Sequence, residues 1–360
     1  MKTFKQFFEA EDNLHHLRVN DTPFTKSIPI SDDDYRQIKH LLADKVIIDE
    51  AIQTIAAQSN LSEDHTAQLL QIILSQDDFE TAITYLLNRE KSGMTKEQLI
   101  ADGNIFTAFS KIGYSENTVQ RLYEFRFHAQ PVMGKGELLL SMLIKGCKKA
   151  DKGDIAIDNK VYDVKGVNAR LRGQRGFSDG ASATRVWADW FNTINQERNL
   201  NLKDTSYGEV PPAGGNEYNI KLKKAGYLLS TGSQLLVNNT ISKEEFSSII
   251  KQGLRAVYPL LSDVELTFVD DFVNNVAVKK VFSSGIYEQF LSSYLYSLLL
   301  YYLRIEDLED TGIFAFGSSG QVRFFNKHTK NVFDLIKIDP PGFGSRSGPQ
   351  GSAAGIVIKK

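Results

Sequence analysis

Cysteine is almost absent from this chain: Cys147 stands alone among 360 residues. One thiol cannot close an intrachain disulfide and cannot supply a Cys₄ or CxxC zinc site, so both are excluded. Charge of a single sign is lacking as well. The chain carries 42 Lys and Arg against 44 Asp and Glu, a formal net charge of −2. That excludes a surface coated throughout in basic residues for nucleic acid, although a neutral sum can hide a local patch. Long hydrophobic runs are missing too. The most apolar stretch, Tyr294–Leu303, is flanked by Glu288, Arg304 and Glu306. It is about half of the ~20 residues needed to cross a bilayer, which predicts a buried helix and no membrane partner. The opening MKTFKQFFEAED lacks the roughly 7–15-residue apolar core of a secretory signal. A reducing cytoplasm is therefore the expected compartment, with Cys147 a small buried residue.

The usual catalytic signatures are also wanting. The six histidines (His15, His16, His40, His65, His128 and His328) show no metal-ligand spacing. Neither a GxxxxGK[ST] loop nor a GxGxxG or GxSxG motif in strand–helix context occurs. Gly317-Ser318-Ser319-Gly320 reads as a hairpin turn, and Trp187 and Trp190 read as core.

What is present divides into two regions, as the length suggests. Residues 1–127 read as a helical, acidic N-terminal region, with 13 Lys and Arg against 20 Asp and Glu, a net of −7. Ser31-Asp32-Asp33-Asp34 offers helix N-caps before Ile38, Leu41, Leu42 and Val46. The periodicity predicts helices over 45–58, 62–75 and 78–90, with Gly93 and Gly103 as punctuation. From Pro131 the character changes. A short helix over 137–145 is followed by strand-like 153–166, an Arg/Gly segment, a helix from Ser182, a loop over 202–217, a helix opened by the Ser242/Glu245 capping box and the apolar helix 286–305. Strands are expected at 312–317, 321–326, 332–338 and, after a loop over 340–355, at 355–359.

The segment 153–166, GDIAIDNKVYDVKG, carries the chemistry. With Asn159-Lys160 as a two-residue turn, Ile155 faces Val164, Ala156 faces Asp163 and Asp154 faces Lys165. Strand alternation then puts Ile155, Ile157, Tyr162 and Val164 on a core face and gathers Asp154, Asp163 and Lys165 on the other. Two close carboxylates repel unless a cation lies between them, and hard oxygen donors suit Mg²⁺. A lysine beside such an ion can position a water and stabilise charge on a phosphate. The same trio also makes an ordinary cross-strand ion pair on an exposed face.

The order of a helix glutamate (Glu137), Gly153-Asp154 opening a strand, and Asp163-Val164-Lys165 on the next strand resembles the PD-(D/E)XK nuclease superfamily. The likeness covers about residues 134–200, and Gly153 stands where that family has its proline. The resemblance implies an α/β (α+β) fold: a restriction-endonuclease-like core, a mixed β-sheet flanked by helices, over residues 128–360 with a helical insertion and a β-rich C-terminal end. It also implies Mg²⁺-dependent (or Mn²⁺-dependent) cleavage of DNA, with Glu137, Asp154, Asp163 and Lys165 catalytic. Asp154, Asp163 and the Val164 carbonyl would hold the ion, Glu137 would assist, and Lys165 would orient the water. Nucleases of this fold often work as homodimers.

The charges around the motif agree. Residues 128–180 hold 10 Lys and Arg against 6 acids, a net of +4, while 181–360 sum to +1. Lys135 and the loop residues Arg170, Arg172 and Arg175 are candidates for gripping phosphates of a DNA partner. The acidic region 1–127 is a candidate docking surface for a phage or host protein, or a mask over the basic segment. MKTFKQFFEAE, moreover, resembles the N-terminal targeting segments of T-even-type bacteriophage head proteins, which are clipped after a glutamate. An amphipathic helix with Phe4, Phe7 and Phe8 on one side accounts for the same residues. The competing expectation is a non-catalytic phage structural or DNA-binding protein that keeps the hairpin as scaffold.

Overall fold

The computed structural model describes residues 8–11, 14–17, 28–30, 45–125, 127, 133–172, 176–202, 217–329, 332, 336–338, 343–344 and 353–359. The chain is mixed α/β and separates into two compact units. One comprises residues 1–166 with 313–324, and the other 167–312 with 325–360.

The first unit begins with three short antiparallel strands, β1 (Phe8–Glu11), β2 (Leu14–Leu17) and β3 (Ile28–Ile30). This corrects the N-terminal helix expected around Phe8: the aromatic and β-branched Phe8, Ile28 and Ile30 favour a pleated ladder. The cap at Ser31–Asp34 lies outside the described residues. Among the described residues six helices follow: α1 (Lys45–Ser59), α2 (Glu63–Leu74), α3 (Phe79–Ser92), α4 (Lys96–Asp102), α5 (Ile105–Lys111) and α6 (Glu116–Glu124). The first three match the periodicity within two residues at each end. Their boundaries are written in capping chemistry. The Ser62 side chain accepts from the His65 N–H, Thr95 and Gln98 close a capping box, and Asn104 accepts from the Phe106 and Thr107 N–H groups.

Next come α7 (Lys135–Leu143), β4 (Cys147–Lys149), β5 (Ile155–Ile157) and β6 (Lys160–Gly166). After the second unit's helices the chain returns with β8 (Ile313–Phe316) and β9 (Val322–Phe325). The five strands form one mixed sheet in the order β4-β5-β6-β8-β9, with β6 antiparallel to β5 and parallel to β8. Met133, Leu138–Leu140, Ile155, Tyr162 and Phe314 share one buried cluster with Ile55, Leu69, Phe109 and Leu122 of the helices. A division at 127/128 would cut through this core, because α1–α6 and α7 bury their apolar faces against each other. The compact unit accordingly runs on to Gly166 and takes in 313–324 as well.

The second unit holds β7 (Arg170–Arg172), α8 (Ala183–Arg198), α9 (Glu217–Val237), α10 (Lys243–Val257), α11 (Thr267–Lys279), α12 (Ser284–Ile305), β10 (Ile336–Ile338) and β11 (Ala353–Ile358). The Ser242/Glu245 capping box opens α10 as expected. Trp187 is buried and donates from Nε1 to the Ile250 carbonyl at 3.3 Å, while Trp190 is half-buried. The Arg/Gly segment is corrected in part: Arg170–Arg172 is not loop but a strand paired with β11, its backbone bonds taken up by a ladder. Of the strand expected over 332–338, Ile336–Ile338 is β10 and 333–335 lie outside the described residues; the last strand runs Ala353–Ile358. Residues 203–216 and 345–352, expected as loops, lie outside the described residues. Among the described residues no helix is long and apolar enough to cross a membrane.

Candidate active site

The hairpin exists, but its turn sits one residue earlier than the sequence reading put it. Ile157 pairs with Lys160, Ala156 with Val161 and Ile155 with Tyr162, so Asp158 and Asn159 make the two-residue turn. Their φ values are +50° and +64°. Such a turn wants two left-handed residues, which Asp and Asn tolerate and Lys160 would resist. Relative to the expected register the pairing slips by two residues. An even slip leaves each side chain on its face, so Asp154, Asp163 and Lys165 still share one side.

The slip does change who faces whom. Counting outward from the Ile157–Lys160 pair, Asp154 comes opposite Asp163 in a non-hydrogen-bonded position. There the Cα atoms approach to about 4.5 Å and side chains are closest. Carboxylate thus stands against carboxylate. Beyond them β5 has ended, and the Val164 N–H, which would otherwise go to the Gly153 backbone, is taken by side chains. It donates to Asp154 Oδ2 at 2.6 Å and to Asp163 Oδ1 at 3.2 Å. Lys165 Nζ donates to Asp163 Oδ1 and lies 3.6 Å from Asp154 Oδ2.

Gly153 explains its own departure from the resemblance. Its φ is +86°, and a Cβ would stand 2.5 Å from Val161 Cγ1. Proline is locked near φ ≈ −65° and cannot take this conformation. The entry to Asp154 is therefore a glycine turn. Beneath the sheet, Gly136 lets α7 approach closely: a Cβ there would meet Phe316 at 2.7 Å and Val164 at 2.9 Å.

The electrostatics follow from crowding and partial burial. The Asp154, Asp163 and Lys165 side chains are 28%, 11% and 21% exposed. Burial first, then the hydrogen bond and charge of Asp163, push the Asp154 carboxyl up to about 7, against the pull of Lys165 and the Val164 N–H. For Lys165, burial lowers the pKa, but the Asp163 and Asp154 carboxylates outweigh it and the net shift is upward. Glu137 is also raised, by burial; the Gly134 N–H, Lys165 and Lys149 oppose this and Asp163 adds to it.

Four residues, Asp154, Asp163, Val164 and Lys165, are thus brought together. Glu137 stands close enough to feel the charges of Asp163 and Lys165, yet its carboxylate accepts the Gly134 N–H and so caps its own helix. Among the described residues no three His, Cys, Asp or Glu side chains converge as a metal-binding group. Lys135 Nζ lies 4.6 Å over the Tyr123 ring, a cation–π contact. Arg170 and Arg172 belong to β7 in the second unit, and Arg175 lies outside the described residues. Sequence reasoning missed Lys149 as a neighbour of Glu137, for its only signal was membership of β4, the strand next to the hairpin.

No family model, curated protein or solved structure matches this chain.

The donor set suits a small hard cation. Mg²⁺ characteristically keeps several waters and takes one or two carboxylates from the protein. Two facing carboxylates, one with its pKa lifted by burial and then by the other, would form a site that gains from a cation between them. Asp154 and Asp163 would hold such an ion. The Val164 carbonyl leaves its strand on the same side as the N–H that meets both carboxylates.

Proposed function

We propose that this chain is a divalent-metal-dependent nuclease that hydrolyses phosphodiester bonds in DNA, with its active site at the β5–β6 hairpin. The observation that carries the reading is the Asp154–Asp163 pair around the Val164 N–H, with Lys165 bridging both carboxylates. A helix packed on a mixed sheet, as the PD-(D/E)XK resemblance implies, supports it.

The bound cation would supply charge stabilisation to a phosphoryl oxygen and acidify a water. The chain's own residues do the rest. Asp154 and Asp163 fix the ion's position because the Val164 N–H orients both. Lys165 places a positive charge on the same face, where it can bind a phosphate oxygen or orient the attacking water. Glu137 contributes field more than ligation, since its carboxylate already serves Gly134. Plasmid nicking with Mg²⁺ tests the reading: Asp154→Ala and Lys165→Ala should each abolish it with the fold intact, and unchanged cleavage by either would sink the assignment.

The ion pairs Lys165 already makes favour a second reading, a non-catalytic DNA-binding or virion protein in which the hairpin is scaffold. In that case Mg²⁺ leaves thermal stability unchanged and neither substitution touches a DNA-processing activity.

A further inference from the structure

Lys165 stands where two functions compete. Its ammonium bonds to Asp163 and sits 3.6 Å from Asp154. These are the oxygens that a divalent cation would need. The lysine is also a cation on that face able to receive a phosphate. We infer that Lys165 is a built-in counter-ion that couples the site's two ligands: it holds metal affinity down until a phosphodiester engages the ammonium. This deepens the nuclease reading and rests on it.

The argument is one of charge and space. With both carboxylates ionised, they and the one ammonium form a compact set with a net charge of about −1, and a divalent cation entering it meets the ammonium at close range. Like charges a few ångströms apart in a partly buried site repel appreciably. The geometry offers Lys165 a way out. Its side chain is 21% exposed, and Asp163 lies only two residues away on the same strand face. The long flexible stem can therefore swing its head group outward without moving the backbone. A phosphate arriving at that face gives the ammonium a new partner of comparable strength. The carboxylates, relieved of it, then take the divalent ion. By linkage the metal must raise phosphate affinity by the same factor that phosphate raises metal affinity.

The test is calorimetric titration of Mn²⁺ into the full chain, alone and with a phosphorothioate-protected DNA duplex. Wild type should bind Mn²⁺ weakly alone and about tenfold more tightly with the duplex, a factor within the usual range of coupling between two sites. Lys165→Gln should bind Mn²⁺ about tenfold more tightly without DNA and gain no further from it. Lys165→Arg, which keeps the charge, should hold the wild-type affinity. Mn²⁺ binding that depends on Asp154 but is no tighter in Lys165→Gln, or that tightens equally in Lys165→Arg, overturns the coupling and leaves the nuclease reading standing. Absence of any Asp154-dependent Mn²⁺ binding, with the duplex present or not, overturns both. The wild-type comparison with and without DNA needs no variant to fold: equal affinities there refute the coupling by themselves.

Discussion

Replacing Asp154 by Asn should make the protein more stable above neutral pH in the absence of divalent metal, and the gain should vanish in acid. In the fold the Asp154 carboxyl is pushed up to about 7, by burial first and then by Asp163. In the unfolded chain it titrates near 3.9. Between those values the folded state holds a proton that the unfolded state has lost. Stability therefore falls as pH rises through this window, by at most about 1.4 kcal/mol per pH unit. The full interval gives an upper bound of about 4 kcal/mol. Because the side chain is 28% exposed, solvent screening reduces this, and about 2 kcal/mol is the expected penalty at pH 8. Asn keeps an oxygen that can accept the 2.6 Å bond from the Val164 N–H, so the substitution removes the charge without orphaning the donor. Urea denaturation in EDTA at pH 5, 6, 7 and 8 should show the Asp154→Asn variant and wild type converging at low pH and separating steadily up to pH 7. Added Mg²⁺ at pH 8 should close the gap by stabilising wild type alone. A variant no more stable than wild type at pH 8 would refute the claim that the facing carboxylates strain the fold.

Three further outcomes follow from named contacts. Gly153→Pro, although it would restore the residue typical of the resembling family, should destabilise by about 3 kcal/mol, because proline cannot adopt φ +86°; equal chemical-denaturation midpoints would contradict this. Gly136→Val should lose at least about 2 kcal/mol by driving α7 off Phe316 and Val164, with plasmid nicking falling in step through the displaced hairpin. Tyr85 donates to the Leu143 carbonyl at 2.5 Å and accepts from the Met94 N–H at 2.9 Å. Tyr85→Phe leaves both groups short of a partner and should lower stability by about 1–3 kcal/mol, measured by urea unfolding, without altering Mn²⁺ binding.

What the sequence made legible was governed by period and by local chemistry. Helices α1–α3 could be read because apolar spacing of 3.6 residues and side-chain caps such as Ser62 act within a few residues of each other. The acidic–basic face of the hairpin could be read because strand alternation needs no partner to be defined. The N-terminal strands were misread because short strands take their stability from ladders with other segments, here β1 with β2 and β2 with β3, while Phe4, Phe7 and Phe8 scan equally well as a helix face. Arg170 and Arg172 were placed in a loop for the same reason. Their strand exists by pairing with β11, about 185 residues further along the chain.

The candidate site shows where such reading stops even when it is right about faces. Alternation is blind to an even slip in register, so the choice between Lys165 and Asp163 as the residue opposite Asp154 depended wholly on which two residues turned. Backbone preference favours the observed choice: Asp158 and Asn159 take positive φ, a conformation lysine adopts less readily than Asp or Asn. The consequence is chemical. An Asp154–Lys165 pair would be a neutral surface ion pair with little need of a cation. An Asp154–Asp163 pair is a concentration of negative charge that one lysine only partly offsets, and on the proposed reading it would give a divalent ion a reason to bind. On that reading a one-residue shift in the turn would separate scaffold from site. Moving it should be informative: Asp158→Gly with Asn159→Gly keeps the left-handed turn and should preserve Asp154-dependent Mn²⁺ binding, whereas Asn159→Val, which resists φ near +64°, should weaken that binding more than tenfold. Retained affinity in the valine variant, measured by the same calorimetric titration, would show that the register is held by the core face of Ile155 and Tyr162 and not by the turn.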